Sequence, residues 1–357
     1  MLKDLKIASV RLMQRAGVFE RASASRWRRE RLLILCYHAV SIADEHEWRP
    51  NLCMSPALLR ARFEAIRRGG YQVLPLDQAV KRLYKNDLPP RSVVLTFDDG
   101  GYDFYKQAAP ILREFGYPAT VYQTTFYSDY PKPVFRTASS YLLWKCREQI
   151  LPADSSLGIA QPVDLHTEAA RGRVTAGLFA RCDGENLSGE QRNELLQRLA
   201  KLLGLDYSAF EASRLLQLMR PQEIAEMSAE GFDIQLHTHQ HRTPLDEQLF
   251  RREISDNQKR ISEICGTRPT HFCYPSGHYE MAFLPWLEKG GVVSATTCDP
   301  GLADRESHPL LLPRFIDTSG QPLLMFEAWL SGVGQWVSAR RKAKSALSGQ
   351  RPAMAEY

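Results

Sequence analysis

The chain has 357 residues and a formal net charge of +5, with 44% hydrophobic and 24% charged side chains. That length suits one large domain or two ordinary ones, and the composition excludes wholesale disorder. Mild basicity without a recognition motif gives no ground for a nucleic-acid partner, and no uninterrupted apolar run reaches the roughly 18 residues a membrane span needs.

Residues 1–30 read as a basic helical leader. Lys3, Asp4, Lys6, Arg11 and Arg15 interrupt its apolar residues, so no secretory core forms and a cytoplasmic location is expected. The seven cysteines include no Cys-x-x-Cys pair and are odd in number, which fits a reducing compartment better than a disulfide framework. Arg21, Arg26, Arg28, Arg29 and Arg31, with Arg340, Arg341, Lys342 and Lys344 at the other end, read as solvated helix surface. The alternative is peripheral contact with an anionic membrane through the basic N-terminus.

Leu32 to Tyr37 is a short apolar run of buried-strand type that ends at His38. Ser55-Pro56 opens a helix that Gly69-Gly70 closes. A strand over Tyr71–Leu74 and a helix over Leu76–Tyr84 follow. Ser92 to Phe97 is a strand that runs directly into Asp98-Asp99-Gly100. A helix over Tyr102–Phe115 and a strand over Pro118–Gln123 come next. Residues 126–220 then break this rhythm and read as a helical insertion, with a loop at Asp183–Asn186 and an amphipathic helix over Glu190–Leu203. From Pro221 the alternation resumes: a helix to Gly231, a strand Phe232–Leu236 running into His237-Thr238-His239-Gln240-His241, a helix Asp246–Cys265, and a strand Thr270–Tyr274 running into Pro275-Ser276-Gly277. A helix Met281–Lys289, a strand Val292–Thr296 and a last strand Leu310–Arg314 complete the pattern. Residues 321–357 read as a C-terminal tail, weakly ordered beyond about residue 335.

Alternating strands and helices imply a parallel sheet, open or closed into a barrel, over residues 31–320 with the 126–220 insertion inside it. His38, the Asp98-Asp99 pair, His237 with His241, and Pro275-Ser276 each follow a strand. In β/α barrels those strand ends build the active site, so four polar groups distant in sequence converge on one face.

Adjacent acids at a strand end point in different directions, so one carboxylate of Asp98-Asp99 can bind a metal while the other stays free as a base. The plainer alternative is a turn whose acids cap the next helix. His237 and His241 are spaced i, i+4 and reach one ion if the segment turns helically, against the alternative of solvated surface histidines. Two imidazoles and one carboxylate leave positions open for water and substrate, the layout of a hydrolytic site. Zinc is the default ion, with cobalt, nickel and manganese open.

Thr96-Phe97-Asp98-Asp99-Gly100 resembles the first signature of the polysaccharide deacetylases, carbohydrate esterase family 4, and His237-Thr238-x-x-His241 resembles their second. The resemblance covers about residues 31–125 and 221–320. It implies an α/β fold, a distorted (β/α) barrel, and metal-dependent hydrolysis of N-acetyl groups on an oligo- or polysaccharide or its precursor. On it, Asp98 resembles the catalytic base and Asp99, His237 and His241 the metal ligands. The backbone N–H of Ser276, after Pro275, would face the oxyanion. Two departures stand out. Cys273 occupies the place of an arginine that steadies the base, with Arg314 as the candidate substitute. The late Leu-x-His segment that supplies the general acid is absent, and Ile34-Leu35-Cys36-Tyr37-His38 resembles that segment moved to the start of the chain, a permuted order found in poly-N-acetylglucosamine-type deacetylases. His38 would then protonate the leaving amine. His278 and His308 are weaker candidates, and His239 is expected to point away. A degenerate carbohydrate-binding relative, or an amidohydrolase of a small or lipid-linked acetylated sugar, are the competing readings.

Overall fold

The computed structural model describes residues 2–337, so Arg340, Arg341, Lys342, Lys344 and nearly all of the stretch expected to be weakly ordered lie outside the described residues. The described residues divide into two compact units: one of residues 2–100, 104–126 and 221–337, the other of 101–103 and 127–220.

The first unit is built on one sheet of eight strands: β1 (Leu33–Tyr37), β2 (Gln72–Val73), β3 (Ser92–Phe97), β4 (Thr120–Gln123), β5 (Asp233–Leu236), β6 (His271–Cys273), β7 (Ser294–Thr296) and β8 (Phe315–Ile316). The order is β7-β6-β5-β4-β3-β1-β8, and every pairing is parallel. β1 fills one flank of β3, from Leu33↔Val93 to Tyr37↔Phe97. On the other flank β2 pairs with the first half of β3 and β4 with the second. β1 and β3 are buried along their whole length, one face turned into the curled sheet and the other covered, which is why they read as unbroken apolar runs.

The sheet curls until its edges meet. Leu312 pairs in parallel with Thr296 of β7, and the Thr297 N–H donates to the Leu312 carbonyl at 2.9 Å. Three residues further on, Phe315 and Ile316 pair with Leu35 and Cys36 of β1. Residues 312–316 thus touch both edges and complete the distorted barrel. The last strand is shifted from the expected Leu310–Arg314: Pro309–Leu311 forms a single 3-10 turn, and Pro313, with no N–H to give, separates the two short pairings.

Covering helices follow the apolar spacing. Ser55 Oγ accepts from the Leu58 N–H and starts helix Pro56–Arg68, which buries Leu59, Phe63 and Ile66. Helix Leu76–Lys85 buries Leu76, Ala79, Val80 and Leu83. Helix Glu247–Cys265 buries Phe250, Ile254 and Ile261, together with two polar residues, Glu253 and Asn257.

Both chain ends depart from expectation. Leu323–Ser331, expected as tail, is a helix that buries Met325, Phe326, Ala328, Trp329 and Leu330. Being apolar nearly all round, it carries no helix-period stripe by which the sequence could announce it. Val10, Phe19 and Ala22, from helices Leu2–Arg15 and Val18–Ala24, pack against it. Arg28 is wholly buried. Its guanidinium donates to the carbonyls of Leu330 (3.0 Å), Arg31 (2.7 Å) and Ser92 (3.1 Å), and burial pulls its pKa down to about 10. It is part of the core, and only neighbours such as Arg26, paired with Glu30, are surface charges. Among the described residues no helix is long and apolar enough to cross a membrane.

The second unit has its own apolar core, including Leu142, Leu157, Leu178, Leu196 and Leu199. Its longer helices are Phe135–Lys145, Glu168–Gly184 and Gly189–Leu202, with an antiparallel strand pair, Ile150–Leu151 against Val163–Asp164. Ser188 and Gln191 form a reciprocal capping box at the start of Gly189–Leu202. Helix Glu168–Gly184 runs further than expected, into the segment read as a loop.

Candidate active site

The residues singled out in the sequence meet at the C-terminal end of the sheet. His38 follows β1, Asp98 follows β3, His237 follows β5 and Tyr274-Pro275 follow β6. Asp99 Oδ1 lies 3.2 Å from His237 Nε2 and 3.2 Å from His241 Nε2. Two bonds of about 2.0–2.1 Å at a tetrahedral angle place their ligand atoms about 3.3 Å apart, so this spacing suits one ion. The hydrogen-bond chemistry is consistent with an ion there. His237 Nδ1 sits 2.9 Å from the Cys273 carbonyl oxygen, which can only accept, so Nδ1 carries the proton. Nε2 then faces a carboxylate oxygen at 3.2 Å, a contact that either a second proton on the ring or a cation between the two makes favourable. Asp99 and His241 keep 21% and 16% side-chain exposure against 2% for His237, which leaves one side of the triad open to an incoming group. Burial pushes the Asp99 carboxyl up, but its bonds to His237 and His241 hold it well below the usual range.

This cluster is bought with backbone strain. Asp99, Thr238, His241 and Ser276 all have left-handed φ, between 55° and 71°, which costs on the order of 1–3 kcal/mol per non-glycine residue. Gly100, at φ 76°, admits no side chain: a Cβ there would lie 2.1 Å from Gln123 Oε1. The histidine loop is anchored from below by Glu253 and Asn257, one helical turn apart. Asn257 Oδ1 accepts from the His237 N–H at 3.0 Å, and its Nδ2 donates to the Gln123 carbonyl and Thr125 Oγ1. Glu253 accepts from the Gln240 N–H at 2.7 Å and pairs with Arg242 at 2.6 Å. Neither residue was singled out in the sequence. The available signal was two polar residues inside the buried stripe of an amphipathic helix.

Asp98 is committed differently from its neighbour. Arg314 Nη1 and Nη2 hold its Oδ1 and Oδ2, each at 2.7 Å, and Arg314 is also fixed by Thr96 Oγ1 and the Thr297 carbonyl. Burial alone would raise the Asp98 carboxyl, but Arg314 overcomes it and holds it at about 2. Cys273 donates its thiol to the same carboxylate at 3.4 Å and receives Arg314 Nη2 at 3.0 Å. His38 Nε2 lies 3.8 Å from Asp98 Oδ2, and burial presses its pKa down against the opposing pull of Asp98 and Asp99. Ser276 stands in the turn after β6, where the Gly277 and His278 amides bond back to Tyr274 and Pro275. His239 turns away to Thr125 Oγ1 at 2.9 Å, His308 caps a 3-10 turn, and His278 packs near Phe283.

The polysaccharide deacetylase family model matches residues 85–141 and 191–294. These two stretches of the chain are similar to the polysaccharide deacetylase family. The match takes in Asp98, Asp99, His237, His241 and Ser276, and leaves His38 and Arg314 outside. YxkH of Bacillus subtilis (strain 168), named for the same family, is 21% identical over 306 residues, covering 85% of this chain and 77% of its own. The poly-beta-1,6-N-acetyl-D-glucosamine N-deacetylase of Escherichia coli (strain K12) is 32% identical over 95 residues, and the chain spans only 14% of that relative's length. The deacetylase PplD of Streptococcus pyogenes superposes with a TM-score of 0.56 at 19% identity, covering 85% of this chain and 97% of that one, a likeness of fold.

Proposed function

We propose that this protein hydrolyses N-acetyl groups on an amino-sugar polymer or its precursor, with Asp99, His237 and His241 holding a divalent cation. The observation that carries the reading is the contrast between two adjacent carboxylates: Asp99 lies 3.2 Å from both imidazoles, while Asp98 lies beside them in the grip of Arg314. The donor set of two nitrogens and one oxygen favours zinc, with cobalt, nickel or manganese as alternatives. Such an ion polarises an acyl carbonyl and makes water more acidic.

The remaining work falls to the chain. Asp98, ionised and fixed in orientation, takes a proton from the attacking water. The Ser276 N–H donates to the oxygen that becomes negative as water adds to the carbonyl carbon. His38 Nε2, 3.8 Å from Asp98 Oδ2, delivers a proton to the departing nitrogen as the C–N bond breaks, leaving acetate and a free amine. Loss of the family arginine at Cys273 would suit a relative that binds without turnover, but Arg314, just before β8, supplies a steadying contact in its place. The E. coli relative's name makes β-1,6-linked N-acetylglucosamine the first polymer to assay.

The test is acetate release from N-acetylglucosamine oligomers by zinc-loaded protein, beside Asp98→Asn. Release by the wild type alone supports both the activity and the base. Cation binding without release from a wide panel of acetylated glycans would sink the hydrolase reading.

A further inference from the structure

Asp98 has a second set of neighbours besides Arg314 and Cys273. Cys36 Sγ lies 3.5 Å from Asp98 Oδ2, His38 Nε2 lies 3.8 Å from the same oxygen, and Cys36 Sγ lies 3.9 Å from His38 Nδ1. One donor atom from each of the three lies within 4.8 Å of the others. No member of this set belongs to the Asp99, His237 and His241 triad.

We infer that Cys36, His38 and Asp98 form a second cation site, one that selects thiophilic ions such as cadmium or excess zinc. Cys36 and His38 are two residues apart at the end of β1, so their side chains leave the strand on the same side, and β3 next to it delivers Asp98 to them. A tetrahedral ion with one bond of about 2.3 Å to sulfur and others of about 2.0–2.1 Å to nitrogen and oxygen needs donors about 3.3–3.6 Å apart; the three donors lie within 4.8 Å of one another, and a turn of the His38 ring that presents one nitrogen to both partners closes the difference. Cys273 Sγ, 3.4 Å from the same carboxylate oxygen, offers a second sulfur. Selectivity follows from the surroundings. Arg314 already balances the charge of Asp98, so an ion that prefers oxygen gains little there. An ion that bonds strongly to sulfur displaces the Cys36 thiol proton to solvent and gains a thiolate.

The consequence for turnover rests on the reading under Proposed function: an ion at this site occupies Asp98 and His38 together and inhibits. Binding itself does not depend on that reading. Cadmium titration, followed by bound equivalents and by sulfur-to-cadmium charge-transfer absorbance, separates the two. Wild type is expected to take two equivalents, one of them with the absorbance band. His241→Ala keeps the band-bearing equivalent and loses the other. Cys36→Ser and Cys36→Ala, each checked for folding by circular dichroism, lose the band, and Cys265→Ser retains it. A band that survives both Cys36 substitutions, or is absent from wild type, overturns the site. If acetate release is found, Cys36→Ser, normalised to its own starting rate, should tolerate about tenfold or more excess zinc than wild type. If no release is found, the absorbance titration still decides.

Discussion

The two terminal nitrogens of Arg314 reach the two oxygens of Asp98 in parallel, each at 2.7 Å, although the residues are 216 positions apart. A bidentate fork of this kind fixes the plane of the carboxylate as well as its charge. Arg314→Met should therefore lower kcat by about 100-fold or more. Without the guanidinium, burial raises the Asp98 carboxyl from its level of about 2, so the acid limb of the pH–rate profile should move upward. Arg314→Lys should restore charge but not the fork, and recover only part of the rate. An unmoved acid limb in the Met variant would remove Arg314 from this role.

Asp98→Asn and His241→Ala should fail in opposite ways. The first is expected to retain a full equivalent of zinc while losing about 10²–10⁴-fold in rate. The second should lose zinc in a chelator competition and lose turnover with it. Equal zinc content in the two variants would argue against the division of labour between the adjacent acids.

Asn257 touches no substrate in this scheme, yet it holds the His237 amide and ties β4 to the histidine loop. Asn257→Ala should weaken zinc about 10–100-fold. The Gln123 carbonyl and the His237 amide left without partners should cost about 1–3 kcal/mol of stability. Chelator competition and thermal unfolding read the two effects separately.

Asp317 gives a pH signature of the fold. Its Oδ2 lies 2.9 Å from Arg62 Nε with both side chains fully buried, and burial outweighs Arg62 and pushes its carboxyl up to about 6. The folded state therefore keeps the proton longer than the unfolded chain does. Its stabilisation is fully present below about pH 4 and is lost as pH rises through about 6. Asp317→Asn, neutral throughout, should lack this slope, so the gap between the two unfolding free energies should change by about 3 kcal/mol between about pH 4 and pH 7. Parallel curves in urea titrations would contradict it.

What the sequence disclosed follows from what local pattern can encode. β1 and β3 are buried on both faces, so their apolar runs and the polar residues that end them were visible, and with them His38, Asp98 and Asp99. The bidentate hold of Arg314 on Asp98 was only a candidate, because it depends on a register across the sheet that no local pattern records. Helix Leu323–Ser331 was missed because uniform apolarity has no period. Arg28 reads as a surface charge because two of its three carbonyl partners, Ser92 and Leu330, lie far away in sequence. Glu253 and Asn257 were hidden by the assumption that polar residues on an amphipathic helix face water.

The five residues that join β7 to β1 also deliver Arg314. On the proposed mechanism, completion of the barrel and readiness of the base are thus a single event in the life of the molecule. A chain whose last strand has not yet docked, or has come loose, presents Asp98 without its guanidinium. Such a form would be catalytically mute even with the histidine loop in place. On that mechanism, turnover would report only those molecules whose seam is zipped shut.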